Sequence, residues 1–111
     1  MEISDFTYAS VGEGATVTLF NNDSGSTDPE LQIQSSTLER VLICNTDSED
    51  ITVDLAVTDG TDTFYILKST SIPQNTTLDV LDGVPFIYDS RFRVYIVTGS
   101  GNICDVLASK K

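Results

Sequence analysis

Aliphatic and polar residues alternate with a period of two through most of the second half of the chain, and no segment sustains a helical period. Ile51, Val53, Leu55 and Val57 fall on one side of a run whose other side carries Thr52, Asp54, Ala56 and Thr58. In an extended backbone successive side chains point to opposite faces, so this run predicts a strand with one buried face. Phe92, Val94 and Ile96 repeat the pattern, but the intervening Arg93, Tyr95 and Val97 are partly apolar, as expected of a strand covered on both sides. Tyr65 and Leu67 oppose Phe64 and Ile66 in the same way, and Ile103, Cys104, Val106, Leu107 and Ala108 predict a last strand around Asp105.

Turn signals divide these runs at the spacing of a sandwich or barrel. They are Asn45 to Asp50, Asp59-Gly60-Thr61-Asp62, Pro73-Gln74-Asn75, Asp82-Gly83-Val84-Pro85 and Gly99-Ser100-Gly101-Asn102. Asp59-Gly60 between two alternating runs is a strong cue for a tight hairpin. The predicted strands are 4–10, 14–20, 30–36, 38–45, 50–58, 63–70, 76–82, 85–88, 91–98 and 102–108. Ser36 to Arg40 also admits a short helical turn.

The first third is different in kind. Phe6, Tyr8, Val11, Val17, Leu19 and Phe20 predict an aromatic hairpin around Gly12-Glu13-Gly14, followed by a polar loop over 21–30. Such a hairpin either packs on the sandwich or reaches a neighbour, because an exposed edge is a pairing surface. The expected fold is therefore an all-β antiparallel sandwich, Ig-like or jelly-roll-like, with an N-terminal β-hairpin extension. It forms one domain over 1–111: a hairpin and polar loop over 1–37, able to serve as an assembly arm, and a sandwich core over 38–111.

Charge narrows the set of partners. Seventeen acidic residues against six basic ones give a formal net charge of −11. That balance repels nucleic-acid phosphates and anionic membranes, so neither is an expected partner. It favours solubility. No apolar run approaches the ~20 residues of a membrane helix. Met1-Glu2-Ile3-Ser4-Asp5 lacks the basic and apolar regions of a secretion signal, so a cytoplasmic origin is expected. In that setting the sequons Asn22-Asp23-Ser24 and Asn75-Thr76-Thr77 read as chance, and Cys44 and Cys104 as free thiols in the core.

Catalytic chemistry finds little to stand on. With no histidine, Ser-His-Asp and Cys-His arrangements cannot form, and two cysteines alone do not make a zinc site. Gly99-Ser100-Gly101 is not the Gly-x-Ser-x-Gly elbow, and there is no phosphate-cradling glycine loop. Paired carboxylates can hydrolyse glycosides, but here the acids cluster in turns, where aspartate caps its own backbone. No catalytic, cofactor or metal residues are assigned. Calcium has two oxygen-rich candidates, Asn22, Asp23, Ser24, Asp28 and Glu30, and Asp47, Glu49 and Asp50; neither has EF-hand spacing. A carbohydrate-binding or host-recognition module is the alternative reading. It would stack sugars on Tyr65, Tyr88 or Tyr95, each of which lies in an apolar run.

The C-terminal two-thirds carries a recognisable cadence. It runs from Val41-Leu42-Ile43-Cys44-Asn45-Thr46 through Ile51-Thr52-Val53 and Tyr65-Ile66-Leu67-Lys68 to Ile72-Pro73-Gln74-Asn75-Thr76-Thr77-Leu78-Asp79-Val80, and ends in Asp105-Val106-Leu107-Ala108-Ser109. Over residues 40–109 this resembles small β-sandwich virion proteins of marine and cyanobacterial tailed phages. In those proteins a strand ending in Asn-Thr precedes a hairpin and an Ile-Pro-Ala-Gly-Ser-Ser-Leu segment. Asn75 stands where that segment has glycine, and Phe86 to Arg91 departs from the usual acidic Gly-Asp stretch. The resemblance implies no catalytic or ligand residues. It implies a non-enzymatic virion role: capsid decoration or cement, or a neck or tail component. The implied partners are the major capsid protein or neck and tail proteins, with homo-oligomers and assembly in a bacterial cytoplasm. Phe86, Ile87, Tyr88, Phe92 and Tyr95 form the densest aromatic stretch, and aromatics with arginine dominate interfaces. Phe86, Tyr88 and Arg91 are thus candidate contact residues, with Tyr95 and the hairpin's Phe6 and Tyr8. For Phe86 and Tyr88, closing the core is the competing role.

Overall fold

A computed structural model describes residues 5–21, 35–89 and 91–110. Most of the 21–30 loop, with its oxygen cluster Asn22, Asp23, Ser24, Asp28 and Glu30, and the first part of the predicted 30–36 strand lie outside the described residues. The rest is nine strands: β1 (Asp5–Val11), β2 (Thr16–Phe20), β3 (Ser35–Asn45), β4 (Ile51–Thr58), β5 (Thr63–Ile72), β6 (Thr77–Asp79), β7 (Phe86–Asp89), β8 (Arg93–Thr98) and β9 (Cys104–Lys110). They form two antiparallel sheets stacked as a sandwich. One runs β1-β9-β3-β6, with β7 also pairing β3, and the other runs β2-β8-β4-β5. The all-β sandwich read from alternation is therefore the fold.

Alternation sets which side chains enter the core. From the first sheet come Val11, Leu38, Val41, Ile43, Cys104 and Val106; from the second, Ile51, Val53, Leu55, Val94 and Ile96. Burying an aliphatic side chain of this size stabilises by roughly 1.5–3 kcal/mol. Asp59-Gly60 makes the β4–β5 hairpin as expected, with Gly60 at φ 99°. Asp59 Oδ1 accepts the backbone N–H groups of Thr61 and Asp62, both at 2.8 Å.

The expected N-terminal hairpin fails, and the helical alternative at Ser36 to Arg40 is not the one adopted. The N-terminal strands are not a hairpin: β1 pairs β9 and β2 pairs β8, so the chain crosses from one sheet to the other at Gly12–Ala15. The crossing is fixed by the buried Thr98 hydroxyl, which donates to Gly12 O (2.7 Å) and accepts from Ala15 N (3.1 Å). Nor is Ser36 to Arg40 helical. It belongs to β3, an eleven-residue strand, with a register shift between Leu38 and Arg40. That bulge inserts one extra residue, so Leu38 and Val41, three apart, both face inward.

Candidate functional site

The outer face of the first sheet breaks the rule that made the core legible. Val11 is fully buried and sets the phase of β1. Small Thr7 and Ala9 share its inward side, and Phe6, Tyr8 and Ser10 point out. Tyr8 pairs across with Leu107, which pairs with Leu42; Phe6 pairs with Ser109, which pairs with Arg40. The result is a shallow apolar depression lined by Phe6, Tyr8, Leu42, Leu107 and Arg40. Phe6 is 66% exposed, Tyr8 71% and Leu107 41%. The depression is bounded by polar pairs: Arg40 meets Asp79 at 3.5 Å, and the Ser10 hydroxyl donates to Asp105 at 2.8 Å. Both pairs are exposed and contribute little to stability.

The six residues singled out from sequence fall in different places: Phe6 and Tyr8 come together on the outer face of the first sheet, Phe86 and Tyr88 on the inner side of β7, and Arg91 and Tyr95 lie apart from both pairs. Phe86 and Tyr88 point inward from β7, opposite Leu38 and Ser36. Tyr88 is 7% exposed and belongs to the core, with its ring stacked on Phe86 at a centroid distance of 6.3 Å. Burial pushes its phenol above the ordinary range, partly offset by a hydrogen bond with Ser36. Core closure is thus the role of Tyr88, and the exposed member of that stretch is Ile87. Arg91 is clamped to its own turn, with Nε 3.0 Å from both Asp89 oxygens. Tyr95 lies half-buried on the outer face of the second sheet, beside Thr16, Thr18, Thr58, Thr63 and Arg93.

Leu42 and Leu107 were not among the sequence candidates. The signal was present: each is an apolar residue in the polar phase of its strand, Leu107 between Val106 and Ala108 and Leu42 between Val41 and Ile43. Aliphatics in the polar phase of two neighbouring strands, next to exposed aromatics of a third, build a contiguous exposed apolar patch.

The acids of the 47–50 turn hold the backbone. Asp47 accepts from Ser48 N (2.7 Å) and Ile103 N (3.2 Å), and Asp50 from Gln74 N (2.9 Å). Asp59 is held below the usual carboxylate range by the N–H groups of Asp62 and Thr61. Among the described residues, no three of His, Cys, Asp and Glu converge on a point that would hold a metal ion. The Tyr65 ring, half-exposed on β5, has Lys68 Nζ 4.5 Å from its centroid.

No family profile matches the chain, and no curated protein matches it either. Among solved structures, it is similar to a chain in the "Structure of infectious bursal disease virus Gx strain". The TM-score is 0.49 at 14% identity, over 96% of this chain and 29% of that one. This chain therefore spans under a third of that neighbour's length.

Proposed function

We propose that this protein is a non-enzymatic structural component of a tailed-phage particle, a capsid decoration or cement protein or else a neck or tail component. The observation that carries the reading is the exposed apolar band of Phe6, Tyr8 and Leu107 on the outer face of a sheet. A shallow, open apolar face on so acidic a chain suits attachment to another protein surface better than capture of a small molecule, which favours a deep, enclosing site. The cadence over residues 40–109 points to the same class, and the major capsid protein or a neck or tail protein is the partner it suggests. Mass spectrometry of purified particles from a culture carrying the gene tests it. The protein is expected among the particle proteins at a copy number fixed by particle symmetry, on the order of hundreds for decoration and about a dozen for a neck or tail ring. Its absence from intact particles overturns the reading.

One observation favours a second reading, a carbohydrate-binding module. The groove on the second sheet sets Tyr95 among four threonine hydroxyls and Arg93. A glycan array followed by titration of a Tyr95→Ala variant separates the two.

A further inference from the structure

We infer that β1 is the pairing edge for a second copy of this chain, joined antiparallel about a twofold axis through Tyr8. The inference stands apart from the particle reading, since it concerns how two copies meet.

The case begins with the other borders of the two sheets. Edge strands expose unpaired backbone groups, and proteins that stay apart blunt them with bulges, charges or brevity. On the second sheet, β5 has two register shifts against β4, carries Lys68, and bends through Ser69 in the left-handed region at φ 46°. Its opposite border, β2, is five residues long and shifts register between Thr18 and Phe20. On the first sheet, the far border is divided between β6, three residues, and β7, four. Strand β1 has no bulge, is not short, and carries no charge inside its ends. It runs seven residues in unbroken register with β9, from Asp5 opposite Lys110 to Val11 opposite Cys104, and its other side has no partner strand among the described residues.

Charge leaves this strand open to a second copy, and the register of the strand with itself is what fits one. Two chains of net charge −11 repel almost everywhere, but β1 holds a single charged residue, Asp5, at its end. Centred on Tyr8, the midpoint of the strand, antiparallel pairing sets Asp5 against the partner's Val11, Phe6 against the partner's Ser10, Thr7 against the partner's Ala9, and Tyr8 against the partner's Tyr8. The two Asp5 residues are then six strand steps apart, about 20 Å, well beyond the ~8 Å screening length at physiological salt. Outward residues meet outward residues in this register. Phe6, Tyr8, Leu42 and Leu107 of the two copies therefore join into one apolar band, and small Thr7 and Ala9 meet on the inner side.

The test is the oligomeric state of the purified chain by light scattering and sedimentation. Wild type is expected to be a dimer at about 100 μM. Tyr8→Glu and Tyr8→Lys are each expected to be monomers with an unchanged circular-dichroism spectrum, because only a residue on the axis faces its own copy. Mixing the two is expected to restore a dimer. In a Cys44→Ser background, Tyr8→Cys is expected to cross-link on oxidation, since directly opposed strand residues sit about 4.5–5.5 Å apart, within disulfide reach. Ser10→Cys, facing the partner's Phe6, is not. A monomeric wild type overturns the inference, including the case in which a strand from another protein occupies this edge. A dimer that survives both charge variants, or cross-links through Ser10→Cys in preference, overturns it as well. A monomer that is nonetheless found in particles sinks this inference alone; a dimer absent from particles sinks only the proposed function.

Discussion

Cys44 and Cys104 lie on neighbouring strands, one register step apart, and face opposite sides of their sheet. Cys44 pairs with Asp105 on the outer side, and Cys104 pairs with Asn45 on the inner side. Proximity of two backbones does not make a disulfide when the Cβ vectors diverge.

The two thiols should therefore react differently. Burial first, then the charges of Asp105 and Cys44, raises the Cys104 pKa to about 11, while Cys44 is half-buried. Only a thiolate attacks an alkylating agent. Iodoacetamide at about pH 8 should add once to the native protein, at Cys44, and a second time only in denaturant. Intact-mass and peptide mapping check this. A native adduct on Cys104, or a Cys44–Cys104 disulfide, contradicts it.

Tyr88 and Tyr8 should separate fold from surface. Tyr88→Ala removes a buried ring and should cost about 3–5 kcal/mol, and Tyr88→Phe, which loses only the bond with Ser36, about 1 kcal/mol. Tyr8→Ala, at an exposed position, should stay within about 0.5 kcal/mol of wild type when the chain is dilute enough to be monomeric. Urea titrations read all three. Equal losses at both positions would mean that Tyr8 is also part of the core.

Asn75 sits at φ 62° in the Pro73–Thr76 turn, where the Thr76 hydroxyl donates to Pro73 O at 2.6 Å. Glycine adopts this region freely and asparagine more readily than most residues, alanine among them. Asn75→Ala should lose about 1 kcal/mol in thermal unfolding, and Asn75→Gly should be close to neutral. An Asn75→Ala protein as stable as wild type would refute the strain argument.

Acid should loosen two turns. Asp59 is held below the ordinary carboxylate range by backbone N–H groups, and Asp89 by hydrogen bonds from the Arg91 side chain. A depressed folded pKa means that the unfolded chain binds the proton more readily. The stabilisation is thus complete above about pH 4 and disappears as pH falls through the lower folded values. Both groups are solvent-exposed, so the effect is small. Melting curves from about pH 6 to 2 should fall less steeply for Asp59→Ala and Asp89→Ala than for wild type. Parallel curves would remove these two carboxylates from the acid transition.

The faces of the strands were legible in the sequence because each is a local property. Ile51, Val53, Leu55 and Val57 report their own side of β4 without reference to any partner, and Asp59-Gly60 reports its own turn. What escaped was partnership. Phe6 lies against Ser109 and Val17 against Ile96, across most of the chain, and alternation carries no information about which distant strand shares the ladder. A hairpin at Gly12–Gly14 and a crossing between sheets look the same in a run of aromatics and glycines. The bulge in β3 hid for a related reason: it shifts the phase at Glu39–Arg40, so one strand reads as two. For the candidate site, Phe6 and Tyr8 were found by their aromaticity, whereas the dense stretch around Tyr88 misled because aromatic density measures burial and contact alike.

One amide ties together a whole end of the molecule. The buried Asn45 side chain donates to Glu49 O (2.9 Å) and Ile72 O (3.0 Å) and accepts from Asp47 N (2.8 Å), so the 47–49 turn and the end of β5 meet on a single residue. The turn and the end of β5 are thereby tied to the end of β3 by one side chain. Removing that amide would free the turn and the strand end together, since a single side chain satisfies both.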